Sequence, residues 1–99
     1  MITTEQFAVK NRWNGDILFT AEISVTPDME PSRKLGLAAE WAVANNTSLR
    51  EADLSGADMF NLVLGGADMR DADMSGADMR CADMSGADIS GADMRGCLT

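Results

Sequence analysis

Eight aspartates, Asp53, Asp58, Asp68, Asp73, Asp78, Asp83, Asp88 and Asp93, each follow an alanine at intervals of five or ten residues. Carboxylates spaced this regularly could collect cations, share protons in acid–base catalysis, or present a row of negative charge to a basic partner. The first two uses lack their usual companions. There is no histidine and no tyrosine, and the two cysteines, Cys81 and Cys97, form no CxxC pair. No serine or cysteine stands beside a recognisable base, so the chain is read as non-enzymatic, with no catalytic, cofactor-binding or metal site. Calcium loops of the EF-hand or Gly-Gly-x-Gly-x-Asp type are missing. Eight methionines could in principle hold copper(I). Their phase, however, places most of them on the same side of the chain as the alanines and away from solvent, which marks them as core. The row of negative charge is the chemistry that remains.

The element that positions these residues is a repeat. From Thr47 to Gly96 the chain divides into ten units of five, eight of which read Ala-Asp followed by Leu, Met or Ile. Five residues turn an α-helix through about 500°, so the methionines would form no stripe. In one continuous strand an odd period would send them to alternate faces. The backbone must therefore bend once per unit, with Ala and Met pointing in, Asp out, and the last two residues making the turn. Gly56, Gly66, Gly76, Gly86, Gly91 and Gly96 all stand at the final, turn-making position. The inward ladder is Leu49, Leu54, Met59, Leu64, Met69, Met74, Met79, Met84, Ile89 and Met94. Unbranched methionine fills irregular space but specifies packing less sharply than leucine, so a somewhat soft core is expected.

These units resemble the pentapeptide-repeat family, whose signature is Ala, then Asp or Asn, then Leu, then two variable residues. The resemblance implies a mainly β fold, a right-handed quadrilateral β-helix with four units per coil and about 2.5 coils over residues 47–99. Its height would be about 12 Å at the usual strand spacing. Some family members resemble B-form DNA in width and charge and occupy the DNA-binding saddle of type II topoisomerases. Those solenoids have many more coils, and this chain has no loop inserted between its coils.

Residues 1–46 contain no pentapeptides and are read as a β-hairpin and capping helix. Ile17, Phe19, Ala21, Ile23 and Val25 alternate with Leu18, Thr20, Glu22 and Ser24 as in a strand with one apolar face. Phe7 to Lys10 forms a shorter candidate strand, with Asn14-Gly15 as the turn. Ser32 is the expected N-cap of a helix running to about Asn45, with Leu35, Ala38, Ala39, Ala42 and Val43 on one face. Such a helix would cover the first open edge of the repeat. Only Cys97, Leu98 and Thr99 follow the last unit, so a two-fold homodimer through the C-terminal coil is expected, with Cys97 and Leu98 near the contact.

The chain carries 8 Lys+Arg against 16 Asp+Glu, a formal charge of −8, of which −6 falls on residues 47–96 (ten acids less four arginines). Direct binding to nucleic acid or to an anionic membrane is excluded on this balance. No apolar run reaches the roughly 20 residues of a membrane span and no signal-peptide pattern opens the chain, so a cytoplasmic protein of a bacterial cell, phage-encoded or not, is expected. Two functions follow. The eight aspartates could form acidic columns that mimic DNA and occupy the basic channel of a DNA-binding protein, as a phage or mobile-element inhibitor of a bacterial defence complex in the manner of an anti-CRISPR, or as a modulator of DNA gyrase or topoisomerase. Alternatively the chain is a structural scaffold that binds its partner through the exposed pair Phe60 and Val63, which packing against the N-terminal hairpin would explain equally well, or through the N-terminal module. Aspartate also suits this position for a plain reason, since its short side chain bonds nearby backbone in turns.

Overall fold

The computed structural model describes residues 2–99. Its regular elements are β1 (Thr3–Lys10), β2 (Ile17–Val25) and α1 (Pro31–Ala44). β1 and β2 pair antiparallel from Thr3↔Val25 to Val9↔Phe19, with an irregularity between Val9 and Lys10. Ala21, Ile23 and Val25 are buried, as the alternation predicts.

Several local expectations are corrected. β1 starts four residues before Phe7, because β2 supplies a pairing partner for the polar stretch Thr3–Gln6 that its own side chains do not signal. The hairpin connection is not a two-residue Asn14-Gly15 turn. It is a wider loop closed by Asn11 N–H to Asp16 O (2.7 Å), with the Asn11 side chain accepting from Trp13 N–H (2.7 Å). Ile17, expected on the apolar face, is 62% exposed because the ladder breaks at Val9/Lys10. The helix is preceded by Glu30 rather than capped by Ser32, with Pro31 at its first position. Proline's fixed φ suits that position and its missing N–H costs nothing there.

Beyond Ala44 the described residues form no continuous strand; the chain advances by single parallel bridges separated by turns. Asp53 bridges Asp73, which bridges Asp93; Asp58 bridges Asp78, which bridges Leu98; Val63 bridges Asp83, and Asp68 bridges Asp88. The backbone thus returns onto itself every twenty residues. Leu54 N–H donates to Asp73 O (2.8 Å) while Asp73 N–H donates to Ala52 O (2.9 Å), a pattern repeated around the chain. Each unit closes with a bond of the Ala57 N–H to Leu54 O kind (3.1 Å). All ten unit-final residues have positive φ, including the non-glycines Glu51, Asn61, Asp71 and Cys81. A positive φ at the third residue of such a turn is the type II requirement.

The core is the inward ladder. Leu49, Leu54, Met59, Leu64, Met69 and Met74 are fully buried, and Ala52, Ala57, Ala67, Ala72 and Ala77 pack beside them. Burial fades toward the end of the chain, where Met84 and Met94 are half-buried and Ile89 is 42% exposed.

The first edge of the repeat is covered by three separate pieces of the N-terminal half. Asp53 N–H donates to Lys10 O (2.8 Å), Asp58 N–H to Ser32 O (2.9 Å), and Val63 N–H to the Glu40 carboxylate (2.8 Å). The helix approaches closely because Gly36 faces the repeat, where any Cβ would overlap the Asp58 carbonyl. Arg12 holds the hairpin loop against three successive layers. Its N–H donates to Glu51 O (2.8 Å), its guanidinium donates to Asp71 O (3.0 Å), and the same group lies 3.9 Å from the Asp93 carboxylate.

Candidate functional site

The aspartate rows exist as backbone registers: 53/73/93, 58/78 and 68/88 are aligned by bridges, whereas Asp83 lies beside Val63. Each of the eight carboxylates is also used locally. Its Oδ1 accepts the N–H of the residue two positions on, at 3.0–3.3 Å, in every unit that has the aspartate. This is the Asx turn, in which the side chain stands in for a backbone acceptor.

The residue two positions on then adds its own side chain. Ser55, Ser75, Ser85 and Ser90 donate hydroxyls to Asp53, Asp73, Asp83 and Asp88 at 2.5–2.7 Å. Arg70, Arg80 and Arg95 each fork onto Asp68, Asp78 and Asp93 with contacts of 2.7–3.0 Å. Hydrogen bonding from Arg70 holds the Asp68 carboxyl far below the usual carboxylate range, and Arg95 brings that of Asp93 down to about 2. Arg80 lowers Asp78 in the same way, while the hydroxyl and N–H of Ser85 and Ser90 lower Asp83 and Asp88.

Arginines therefore stand within 4.0 Å of five of the eight: Asp58 beside Arg33, Asp68 and Asp88 beside Arg70, Asp78 beside Arg80, and Asp93 beside Arg95. Asp53, Asp73 and Asp83 have no cation within that distance among the described residues. Sequence reasoning counted the arginines against the total charge but not against particular aspartates. The signal was the Asp-x-Arg spacing inside single units. Among the described residues no group of three or more His, Cys, Asp or Glu side chains could hold a metal ion.

Phe60 and Val63 take different neighbours. Phe60 is 44% exposed, its ring lies 5.7 Å from the Arg80 guanidinium, and its carbonyl accepts from Arg33 (2.9 Å). Val63 is 61% exposed and borders a groove of about 490 Å³ between β2 and α1, with Ile23, Leu37, Trp41 and Val43 in its walls and Glu22 and Glu40 at its rim. Trp41 is stacked on Phe19 at 5.9 Å and 16°. The sequence left Phe60 and Val63 open between a partner anchor and packing against the N-terminal hairpin; the fold sets Val63, but not Phe60, at a groove with β2 and α1.

At the far end, Leu98 is 51% exposed although its backbone pairs with Ala77 and Met79, and Cys97 is half-buried, its thiol pushed up by desolvation. Ala82, Met84, Ala87, Ile89 and Met94 surround a concavity of about 370 Å³ there. No helix among the described residues is long and apolar enough to cross a membrane.

A family model described as pentapeptide repeats matches the chain in eight copies, over residues 40–76 and 57–96. No curated protein matches it.

Proposed function

The chain belongs to the pentapeptide-repeat family, and from that premise we propose that it is a non-enzymatic acidic binding protein whose partner presents a basic surface. The observation that carries this reading is the set of carboxylates on Asp53, Asp73, Asp83, Glu22 and Glu40, which have no cationic partner among the described residues of a chain with a formal charge of −8. Unpaired carboxylates on a chain of this net charge steer a basic partner into contact and make the contact salt-dependent. The twenty-residue return of the backbone supports four units per coil and about 2.5 coils for residues 47–99, with residues 1–46 as the cap; the right hand of this quadrilateral β-helix is what membership of the family implies. We extend the reading to a two-fold dimer through the C-terminal coil, supported by the apolar concavity with exposed Ile89 in its wall and by the exposure of Leu98.

In its most specific form the protein is a DNA mimic that fills the DNA-binding channel of a bacterial defence complex, as a phage or mobile-element inhibitor, or of a type II topoisomerase. Because arginines stand within 4.0 Å of five of the eight repeat aspartates, this form rests on Asp53, Asp73 and Asp83. Displacement of labelled duplex DNA from a purified CRISPR effector complex and from gyrase tests it. Displacement that weakens steeply with salt and disappears in an Asp53→Asn, Asp73→Asn, Asp83→Asn variant supports the mimic. Binding without displacement, indifferent to those changes, supports instead a scaffold that engages its partner through Val63 and the N-terminal module, the reading favoured by their shared groove.

A further inference from the structure

The unit Leu62-Val63-Leu64-Gly65-Gly66 is the one complete unit after Ser55 that lacks both the alanine and the aspartate of the repeat. Leu62 is buried in the alanine position, but Val63 stands outward at 61% exposure where other units place a carboxylate. An outward valine adds nothing to the core, and the departure falls beside the groove between β2 and α1. We propose that this groove docks a basic segment of a partner protein, which inserts one apolar side chain between Trp41 and Val63 while its Lys or Arg residues meet Glu22, Glu40 and Asp83. The inference deepens the acidic-binding reading and rests on it.

Charge complementarity selects the occupant. Among the described residues, no basic residue borders the groove. Arg12, Arg33, Lys34, Arg50, Arg70, Arg80 and Arg95 are each committed to acids elsewhere. Among the described residues, the carboxylates on this side have neutral partners: Gln6 on Glu22, the Val63 N–H on Glu40, and Ser85 on Asp83. A purely aliphatic ligand would leave that charge unanswered, and a purely basic one would leave the apolar walls wet. The walls are also fixed in advance, with Trp41 stacked on Phe19 and Val63 held by Glu40, which lowers the ordering cost of binding. Tryptophan in a partly covered pocket is the kind of anchor that concentrates binding energy.

The test uses the full chain and two labelled peptides, one with a single leucine flanked by Lys and Arg residues and the same peptide with serine in place of leucine. The leucine peptide should shift the Val63 amide and Trp41 indole NMR signals and bind about tenfold tighter than the serine peptide. Val63→Asn, which restores a residue type suited to the repeat, should remove most of that difference. Glu40→Gln, which keeps the acceptor for Val63, should weaken both peptides. Equal binding of the two peptides, or shifts confined to Asp53 and Asp73, overturns the groove proposal while leaving the acidic-binding reading standing. Failure of both peptides to bind anywhere overturns both.

Discussion

The Val63 backbone N–H donates to the Glu40 carboxylate at 2.8 Å, so one helix side chain completes an edge that backbone carbonyls complete at Asp53 and Asp58. Only the last four carbonyls of a helix are unbonded, so an edge that meets its earlier turns must use the second lone pair of a carbonyl or a side-chain acceptor. Ser32 does the former and Glu40 the latter. Covering the edge in this way blocks its use as a template for further chains.

Removing that acceptor should therefore loosen the cap. Glu40→Ala is expected to lower unfolding stability by about 1 kcal/mol, a typical value for one hydrogen bond to a charged or partly solvated group. Glu40→Gln should keep most of it. Urea unfolding of the two variants side by side provides the check, and equal losses would mean that Glu40 acts through its charge alone.

Gly36→Ala should destabilise the fold by about 3 kcal/mol, through overlap of the new methyl with the Asp58 carbonyl. The sign is informative because alanine would favour an isolated helix by about 1 kcal/mol over glycine. Thermal unfolding followed by circular dichroism measures the difference. A rise in midpoint would show that the helix does not seat on the repeat at Gly36.

How much of this was legible depended on whether the controlling force was periodic. The phase of the ladder from Leu49 to Met94 and the outward aspartates follow from a five-residue spacing that excludes both a helix and a flat strand, and β2 follows from its two-residue alternation. Gly36 was not legible: it lies on the buried face between Leu35 and Leu37, and its role appears only when the helix meets Asp58. Arg12 was equally silent, because contacts to Glu51, Asp71 and Asp93 span residues remote in the chain. The pairing of Arg70, Arg80 and Arg95 with aspartates two residues away was available in the sequence, but column-wise charge counting hid it.

Cys81→Gly should stabilise the protein by about 1 kcal/mol. Cys81 holds a φ of 61°, a conformation that costs most side chains about 1–2 kcal/mol and glycine almost nothing. Asn61→Gly, at the equivalent position with a φ of 62°, should gain less because asparagine tolerates this region. Differential scanning calorimetry of the two variants would compare them, and a loss on Cys81→Gly would reveal packing by the thiol that outweighs the backbone gain.

Acid should weaken the fold through Asp68, Asp78 and Asp93, the three aspartates onto which arginines fork. Their carboxyls are held below the ordinary value, Asp93 at about 2, so the folded chain binds fewer protons than the unfolded one across that interval. The contribution is complete above about pH 4, where the unfolded carboxyls are also ionised, and is lost as pH falls toward 2. Stability should then be flat with respect to these groups from pH 7 to 5 and decline below 4. These side chains lie at the surface, so added salt should shrink the decline. Arg80→Ala offers the cleanest control, because it removes the fork on Asp78 while leaving the Asx turn to the residue 80 N–H. Melting temperatures from pH 7 to 2 should fall less steeply for that variant than for the parent. Parallel curves would assign the acid sensitivity to the turn bonds instead of the guanidinium.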